Sequence, residues 1–448
     1  MKKAMEMVAA VALAAVAVWP AQARVETRGV ICRAELDRAV LLAGGRQTAV
    51  VKITLDAPEA PRETERPPVN LVIVLDRSGS MHGDKIEKAK EAAIEALRRL
   101  GPRDLFSLVI YDHNVETLVP AQSAANTEWI ESRIRQIHPG GNTALFGGVS
   151  QGAAEVRKNI EGRYVHRIIL LSDGLANVGP SSPSDLARLG TSLLKEKISV
   201  TTVGVGTDYN EDLMTQLAQR SDGNTYFVES SGDLPRIFAA ELGDVLSVVA
   251  RRVILEIECE DGARPIRIIG RDGRIRRNGV EIQLNQLYGG QEKYVLVEMD
   301  IPAGEPAEVK PVAVARCRYE DAITAREVSA TARVTATFSK REEEVVQSAN
   351  EGVQSEIVRN VAAEAKDRAV ELWDAGKREE AVKELRDTRE RLTTRGAFYN
   401  YDVSGEALME ADKLEVEASA LKSEGMSAPR RKVFRASSYQ IRTQQESR

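Results

Sequence analysis

The sequence predicts an α/β protein in which a doubly wound domain is inserted into a β-sandwich and followed by a helical region. Three observations lead to this prediction. Apolar strands alternate with amphipathic helices across residues 69–245, which is typical of a largely parallel sheet covered on both faces. Short alternating strands lie on both sides of that stretch, in residues 24–55 and 250–338. Residues 341–424 are helical by pattern and composition.

The composition is that of a globular protein and excludes several classes of function. The chain has 448 residues, of which 43% are hydrophobic and 29% charged, and its net charge is −5. That length suits about three domains. A chain with so small a net charge shows no sign of the concentrated basic face that a nucleic-acid-binding protein has. With four histidines and three cysteines, neither a zinc or haem protein nor a disulfide-scaffolded mini-domain is expected.

Residues 1–23 have the features of a secretory signal peptide. A basic start (Lys2 and Lys3) precedes an apolar run over residues 8–19, and the AQA of residues 21–23 provides small residues for cleavage. The apolar run is too short to cross ~30 Å of hydrocarbon as a helix; an uncleaved anchor is the alternative. We therefore predict an exported chain, periplasmic or secreted, with no membrane span in its mature form.

The segment before the central domain is expected to belong to the sandwich that follows it. Residues 24–68 contain alternating strand-like runs and end in a linker rich in proline and charge. Residues 24–55 offer too few strands for an independent sheet. We therefore expect them to complete the β-sandwich of residues 246–340, which makes the α/β domain of residues 69–245 an insertion.

The central domain has the alternation of a Rossmann-like fold. Its first strand, NLVIVLD, is a continuous apolar run, as expected when both faces of a parallel sheet are covered. The helix that follows has apolar positions from Ile86 to Leu97 at helical spacing, and Gly101-Pro102 ends it. Further strands, DLFSLVIYD, HRIILLSDG, ISVTTVGVG and TYFVES, alternate with helical segments. In such sheets ligands bind at the carboxyl ends of the strands.

The C-terminal part is predicted to be helical and then flexible. Residues 369–392 form a helix, a turn at Ala375-Gly376-Lys377 and a second helix, and resemble one tetratricopeptide-type hairpin. A helical pair packed on the rest of the chain explains the same pattern equally well. Residues 425–448 contain six basic residues and one acidic residue and are predicted to be a flexible basic tail.

Side chains that carry oxygen occur in three loops of the central domain. Asp76, Ser78 and Ser80 follow the first parallel strand, Thr143 precedes a helix, and Asp173 ends a later strand. These loops can meet at one edge of the sheet. Carboxylates and hydroxyls are hard ligands that suit Mg²⁺, Mn²⁺ or Ca²⁺ rather than zinc or copper. Two carboxylates would leave such a cation able to accept one more anionic oxygen from outside.

The three loops resemble the metal-ion-dependent adhesion site (MIDAS) of the von Willebrand factor type A (VWA) family. The DxSxS motif stands at residues 76–80, and the distant threonine and aspartate follow in the family's order at Thr143 and Asp173. The contexts SDGLANVGP and TTVGVGTDYNEDLM further resemble exported bacterial VWA proteins labelled calcium-activated-chloride-channel-like. That label implies little about function here, because no pore-forming helix is expected.

The resemblance also implies how the site would work. Ser78, Ser80 and Thr143 would bind the metal directly, and one or both aspartates would act through water. Mg²⁺ is the expected cation, with Mn²⁺ or Ca²⁺ as alternatives. An acidic side chain of a protein partner would fill the open position. The expected function is therefore divalent-cation-dependent protein binding, adhesion or scaffolding.

Other interpretations of these residues stay open at this point. Asp76 and Asp173 could be helix N-caps, and Thr143 could cap the helix after it. A structural assembly factor could bind through its sandwich and helices, with the metal only ordering loops. A metal-assisted hydrolase is a third alternative, but no G-x-S-x-G elbow, P-loop or dinucleotide motif is present. No enzyme activity is therefore expected. The histidines are expected near the surface: His82, His113, His138 and His166.

The cysteines, Cys32, Cys259 and Cys317, all fall in the predicted sandwich. In an oxidising compartment two of them could pair, with Cys259 and Cys317 as the first choice. Three buried, reduced cysteines that act as small hydrophobic residues are the alternative.

Overall fold

A computed structural model describes residues 29–60, 66–160, 164–394 and 405–445. The predicted signal peptide therefore lies outside the described residues. Within these ranges the strands are β1 (Ile31–Leu36), β2 (Val40–Leu42), β3 (Gln47–Asp56), β4 (Val69–Asp76), β5 (Leu105–Tyr111), β6 (Val115–Ser123), β7 (Val165–Ser172), β8 (Ile198–Val205), β9 (Thr225–Val228), β10 (Val248–Cys259), β11 (Arg264–Ile269), β12 (Arg274–Arg276), β13 (Gly279–Tyr288), β14 (Glu292–Ile301), β15 (Val309–Asp321) and β16 (Glu327–Ser339).

The helices in the same ranges are α1 (Asp84–Arg98), α2 (Thr127–Arg135), α3 (Leu145–Arg157), α4 (Pro183–Lys195), α5 (Glu211–Ser221), α6 (Leu234–Leu246), α7 (Glu342–Gln347), α8 (Glu351–Asp374), α9 (Arg378–Thr393), α10 (Gly405–Glu424) and α11 (Ala428–Thr443). Among the described residues, none of these helices is long and apolar enough to cross a membrane.

The central domain is a doubly wound sheet, as predicted. Its strand order is β6-β5-β4-β7-β8-β9, and all neighbours are parallel except the β5–β6 pair. Every residue of β4 is buried. Leu71 and Ile73 belong to the core that α1 and α6 cover, whereas Val72 and Val74 belong to the core beneath α3 and α4. Burial on both faces explains why the strand is apolar throughout.

Two elements of this domain were not predicted from the sequence. The edge strand β6 pairs antiparallel with β5 through two irregular steps, and it contains Pro120. Proline is tolerated at an edge, where its missing N–H costs no ladder hydrogen bond. Helix α6 follows β9 and begins with a proline in its first turn. Strand β6 lacks an alternating burial pattern, whereas the apolar residues of α6 do have helical spacing, from Leu234 through Ile237 and Phe238 to Val245, and could have indicated the helix.

The prediction that the α/β domain is inserted into a sandwich is confirmed. One sheet has the order β1-β3-β14-β11, and the facing sheet the order β12-β13-β10-β15-β16-β2. Strand β3 pairs with β14 along its whole length, from Gln47 opposite Ile301 to Asp56 opposite Glu292. The strands that precede the central domain are thus part of both sheets, which share one hydrophobic core.

Helix α8 packs on the sandwich, and α9 packs on α8 and α10. The turn between them includes Gly376 in the left-handed region, at φ 78°, as is common where a helix ends. Ile357 and Val361 of α8 share a core with Tyr294 and Leu296 of β14. The hairpin therefore contacts a sheet of this chain through α8.

The prediction of a flexible basic tail over residues 425–448 is wrong for the part that the structure describes. That part contains α11, which packs against α8 and α5. Arg431 pairs with Glu211 and Asp212 at the start of α5, and the Lys432 ammonium donates to Glu211 at 2.5 Å. Composition alone suggested solvation, but the basic residues meet acidic partners that lie more than 200 positions away in sequence.

A buried ion pair of the central domain lies at its junction with the sandwich. Arg167 of β7 and Glu241 of α6 are both fully buried, with Nη1 of Arg167 3.3 Å from the carboxylate. Nη2 of the same guanidinium donates to Gln286 Oε1 at 2.7 Å and to the Tyr288 hydroxyl at 2.8 Å, both on β13. The charge of Arg167 is therefore satisfied from both domains.

Removing this guanidinium should destabilise the protein strongly. Arg167→Met leaves Glu241 buried without its counter-charge, which typically costs about 3 kcal/mol or more. We expect a clear fall in the urea midpoint measured by circular dichroism. Arg188→Met, which removes an arginine from an exposed pair on α4, is the matched control and should leave the midpoint unchanged. Equal midpoints for the two variants would contradict the role given to Arg167.

The strand register excludes the first-choice disulfide. Cys317 lies opposite Leu255, whereas Cys259 lies opposite Ala313. The two cysteines are thus displaced by four residues along the strands, about 13 Å, and a disulfide needs Cα atoms within about 7 Å. All three cysteines are free. Burial raises the pKa of Cys259 to about 11 and that of Cys317 to about 12.

The two core thiols should therefore be unreactive in the folded protein. At pH 8 we expect slow alkylation of Cys259 and Cys317 by iodoacetamide, because thiols with raised pKa values carry little thiolate. After unfolding in urea without reductant, both should alkylate quickly, as counted by mass spectrometry. A disulfide-linked peptide that contains both residues would show that the register is wrong.

Candidate functional site

The candidate site lies at the carboxyl edge of the parallel sheet, where three loops meet. Asp76 is the last residue of β4, and Asp173 directly follows β7. Thr143 stands two residues before α3. Because β4 and β7 are adjacent and parallel, their ends lie side by side. The structure thus brings together all three loops that the sequence indicated.

Backbone hydrogen bonds tie the first two loops to each other. Gly79 N donates to Gly141 O at 3.0 Å, and Gly140 N donates to Arg77 O at 2.7 Å. Gly141 has φ 82°, and a Cβ there would lie 2.3 Å from the His113 ring. Glycine is therefore required at position 141 by both conformation and space.

A side-chain amide ties the second loop to the third. Thr143 N donates to Asn177 Oδ1 at 2.8 Å, and Asn177 N donates back to Thr143 O at 3.1 Å. The three loops thus form one hydrogen-bonded rim, and the position of Thr143 is determined by contacts on both of its sides.

The two carboxylates are buried beneath this rim and are already hydrogen-bonded. Asp76 Oδ1 accepts from Ser78 N at 2.8 Å, and Asp76 Oδ2 accepts from the Ser172 hydroxyl at 2.7 Å. Asp173 Oδ1 accepts from the Ser80 hydroxyl at 2.6 Å. Both aspartates are fully buried. Burial raises the pKa of Asp76 to about 6, and the hydrogen bonds from Ser78 and Ser172 oppose that rise.

Three hydroxyls converge on the space above Gly174. A Cβ added at Gly174 would lie 3.1 Å from Ser80 Oγ, 3.3 Å from Thr143 Oγ1 and 3.8 Å from Ser78 Oγ. The oxygens of Ser78 and Ser80 are themselves 3.1 Å apart. Ser78 and Thr143 are almost fully buried, whereas Ser80 is exposed. The hydroxyls thus surround a small cradle that opens to solvent and that glycine keeps free.

The helix-cap interpretation of these residues is wrong. The N-cap residues are Gly83 for α1, Ala144 for α3 and Ser182 for α4. Neither Asp76 nor Asp173 is an N-cap residue. Instead, Asp76 accepts a hydrogen bond from Ser172 at the end of β7, and Asp173 accepts one from Ser80 in the loop after β4. Their burial therefore needs an explanation other than helix capping.

A lysine that the sequence analysis did not single out completes the site. Lys85 in the first turn of α1 donates from Nζ to Asp173 Oδ2 at 2.5 Å, and its side chain is 30% exposed. The positive end of the helix dipole disfavours a cation in a first turn. That unfavourable position is the sequence signal that could have indicated an acidic partner for Lys85.

The donor set fits a hard divalent cation. It consists of neutral hydroxyls in front of two buried carboxylates, which suits Mg²⁺, Mn²⁺ or Ca²⁺. Among the described residues no group of three or more His, Cys, Asp or Glu side chains could hold a metal, so a zinc-type cluster is not offered there. A cation bound in this cradle would be held largely by neutral oxygens.

The histidines do not contribute to the cradle. His82, His113 and His138 are exposed, as expected. His166 was expected near the surface but is 4% exposed within β7, and burial lowers its pKa to about 4. It lies six residues from the carboxyl end of that strand, about 20 Å from the site.

The central domain is similar in sequence to a known family of domains and to several known proteins. The model of the von Willebrand factor type A domain matches residues 70–240. An uncharacterized protein of Synechocystis is 27% identical over 59% of this chain and 64% of its own length. YfbK of Escherichia coli, also uncharacterized, is 26% identical over 47% and 37%. Human inter-alpha-trypsin inhibitor heavy chain H4 is 28% identical over 45% and 22%. The chain thus spans less than two thirds of each of these relatives.

Solved structures extend the likeness of fold beyond the central domain. A von Willebrand factor type A protein from Catenulispora acidiphila superposes with a TM-score of 0.65 at 17% identity, covering 87% of this chain and 96% of that one. The ArnB paralog VWA2 from Sulfolobus acidocaldarius gives 0.57 at 17% identity, covering 93% and 98%. The solved structures share the fold of this chain, and the match to the family model shows that its central domain, residues 70–240, belongs to the von Willebrand factor type A family.

Proposed function

We propose that this protein is an exported, non-enzymatic module that binds a protein partner through a divalent cation held by Ser78, Ser80 and Thr143. VWA domains generally mediate protein–protein interaction or adhesion. The observation that carries the proposal is the convergence of these three hydroxyls on the open space above Gly174.

The arrangement of charge supports an acidic partner. Both carboxylates of the site, Asp76 and Asp173, are occupied by hydrogen bonds, so a cation in the cradle would take its direct ligands from neutral hydroxyls. Neutral ligands leave most of the double positive charge uncompensated. Such a cation would bind one more anionic oxygen, and a glutamate or aspartate of a partner supplies one. Mg²⁺ is the proposed cation, because it is hard and retains open or water-filled positions.

The surroundings of the cradle favour binding over catalysis. Hydrolysis at a metal needs a group that moves a proton near the reacting water. Asp76 and Asp173 are occupied beneath the rim, and His166, the buried histidine, lies at the opposite end of β7. A binding role needs only a coordination position of the cation that a partner can reach from solvent. The exposure of Ser80 shows that the cradle opens to solvent there.

Export is part of the proposal and rests on the signal-peptide pattern of residues 1–23. A periplasmic or extracellular location would place the site where envelope proteins are available as partners. The mature chain proposed here starts at residue 24.

Loss of one cradle hydroxyl should weaken cation binding. We expect isothermal titration calorimetry to show Mg²⁺ binding by the full mature chain, and Ser78→Ala to weaken it at least about tenfold, since a lost ligand should cost no less than a lost outer-shell partner. Ser329→Ala changes an exposed serine of β16 and is the matched control. Identical Mg²⁺ affinity for wild type and Ser78→Ala would exclude this hydroxyl as a ligand.

Partner capture should depend on the same site. Wild-type mature chain should retain an envelope protein in Mg²⁺ and lose it in EDTA, while Asp173→Ala should fail to retain it even in Mg²⁺. The readout is affinity capture from envelope extract with identification by mass spectrometry. Equal capture in all three conditions would instead favour an assembly factor that binds through its sandwich and helices, and EDTA would then lower only the thermal stability.

A further inference from the structure

Lys85 places a fixed positive charge inside the candidate site. Its ammonium lies 2.5 Å from Asp173 Oδ2, on the carboxylate whose other oxygen accepts from Ser80. Ser80 in turn lines the cradle. The lysine is therefore separated from the cradle by a single carboxylate.

The position of Lys85 does not serve the stability of its own helix, and it lies at the site edge of the sheet. A cation in the first turn of α1 is opposed by the helix dipole. Gly206, at the end of β8, has φ 71°, and a Cβ there would lie 3.9 Å from Lys85 Nζ. The ammonium therefore lies within van der Waals distance of the segment that follows β8, at the edge of the sheet where the site lies.

A second cation at this edge, Arg77, is compensated outside the cradle. Its guanidinium lies 3.1 Å from the Asp112 carboxylate and 4.0 Å from that of Glu116. Arg77 therefore adds no net charge to the two site carboxylates. Lys85, in contrast, neutralises one of those carboxylates directly, and the site as folded has one net negative charge rather than two.

We propose that Lys85 sets the charge balance of the metal site: it weakens cation binding and strengthens the subsequent binding of a partner carboxylate. This inference rests on the proposed function. With a divalent cation bound, the site has one net positive charge when Lys85 is present and none when it is absent. Since the partner supplies a single negative charge, a site with Lys85 becomes neutral only when the partner has bound. The lysine thus couples the cation to its carboxylate partner.

The test separates the two affinities. Mn²⁺ is the probe cation. Its binding to the full mature chain is measured from the electron paramagnetic resonance signal of the Mn²⁺ that remains free. Acetate is the probe carboxylate, and its binding to the Mn²⁺-loaded protein is followed by water-proton relaxation. Lys85→Met removes the charge and keeps an unbranched side chain. Lys85→Arg keeps the charge. Lys88→Met, at an exposed lysine of α1 paired with Glu91, is the matched control.

The expected result is a change of opposite sign in the two affinities. Lys85→Met should bind Mn²⁺ about tenfold more tightly, because one like charge near a dication is removed, and acetate several-fold more weakly. Lys85→Arg and Lys88→Met should keep both affinities near those of wild type. A purely structural lysine would change both affinities in the same direction.

Three other outcomes overturn the inference. Unchanged affinities of Lys85→Met for Mn²⁺ and acetate would show that the charge of Lys85 does not affect binding at the site. Parallel weakening of Mn²⁺ and acetate binding would show that Lys85 only holds Asp173 in place. Absence of Mn²⁺ binding by wild type would overturn the proposed function itself, and this inference with it. If Lys85→Met lowers the thermal midpoint, Lys85→Gln provides the same loss of charge with a polar side chain.

Discussion

The structure depends on one constraint: a parallel sheet that is buried on both faces must end at an edge where its backbone and loops are exposed. Strand β4 is buried along its whole length, and Asn70 is its one polar residue before the final position. The strand's carboxylate therefore stands where the strand stops. Asp76 and Asp173 lie at those ends. Hydrogen bonds among the three loops then fix the geometry of the rim. The sandwich holds the domain near the opposite end of β7, through Gln286 and Tyr288 on Arg167.

Local patterns in the sequence were sufficient to predict much of this architecture. Continuous apolar runs predicted the buried strands, and the five oxygen-bearing residues of the MIDAS pattern meet at one edge of the sheet as expected. The insertion followed from counting strands in residues 24–55. What could not be predicted depends on contacts between distant segments. The composition of α11 suggests a solvated basic segment, but Arg431 pairs with Glu211 and Asp212, which are distant in sequence. Whether Cys259 and Cys317 can form a disulfide depends on the strand register, which composition does not reveal.

Within the candidate site, too, residues that share a local motif could be predicted, whereas residues that act through distant contacts could not. Ser78 and Ser80 are recognisable because they share one short motif with Asp76. Lys85 was not singled out, because its partner Asp173 lies 88 positions further along the chain. Asn177, which fixes Thr143, is likewise 34 positions from it. Such supporting residues carry no motif, and only physical oddities, such as a lysine in the first turn of a helix, indicate them in advance.

The balance of buried charge distinguishes the site from the rest of the molecule. At the junction of the two domains Arg167 and Glu241 are both fully buried and compensate each other, which is how a stable core accommodates charge. At the sheet edge Lys85 pairs with Asp173, while among the described residues the buried carboxylate of Asp76 is held by hydrogen bonds from Ser78 and Ser172 rather than by a cation. That negative charge lies beneath three hydroxyls that line a cradle open to solvent at Ser80. A buried charge of this kind is unfavourable, and the proposed cation would relieve it.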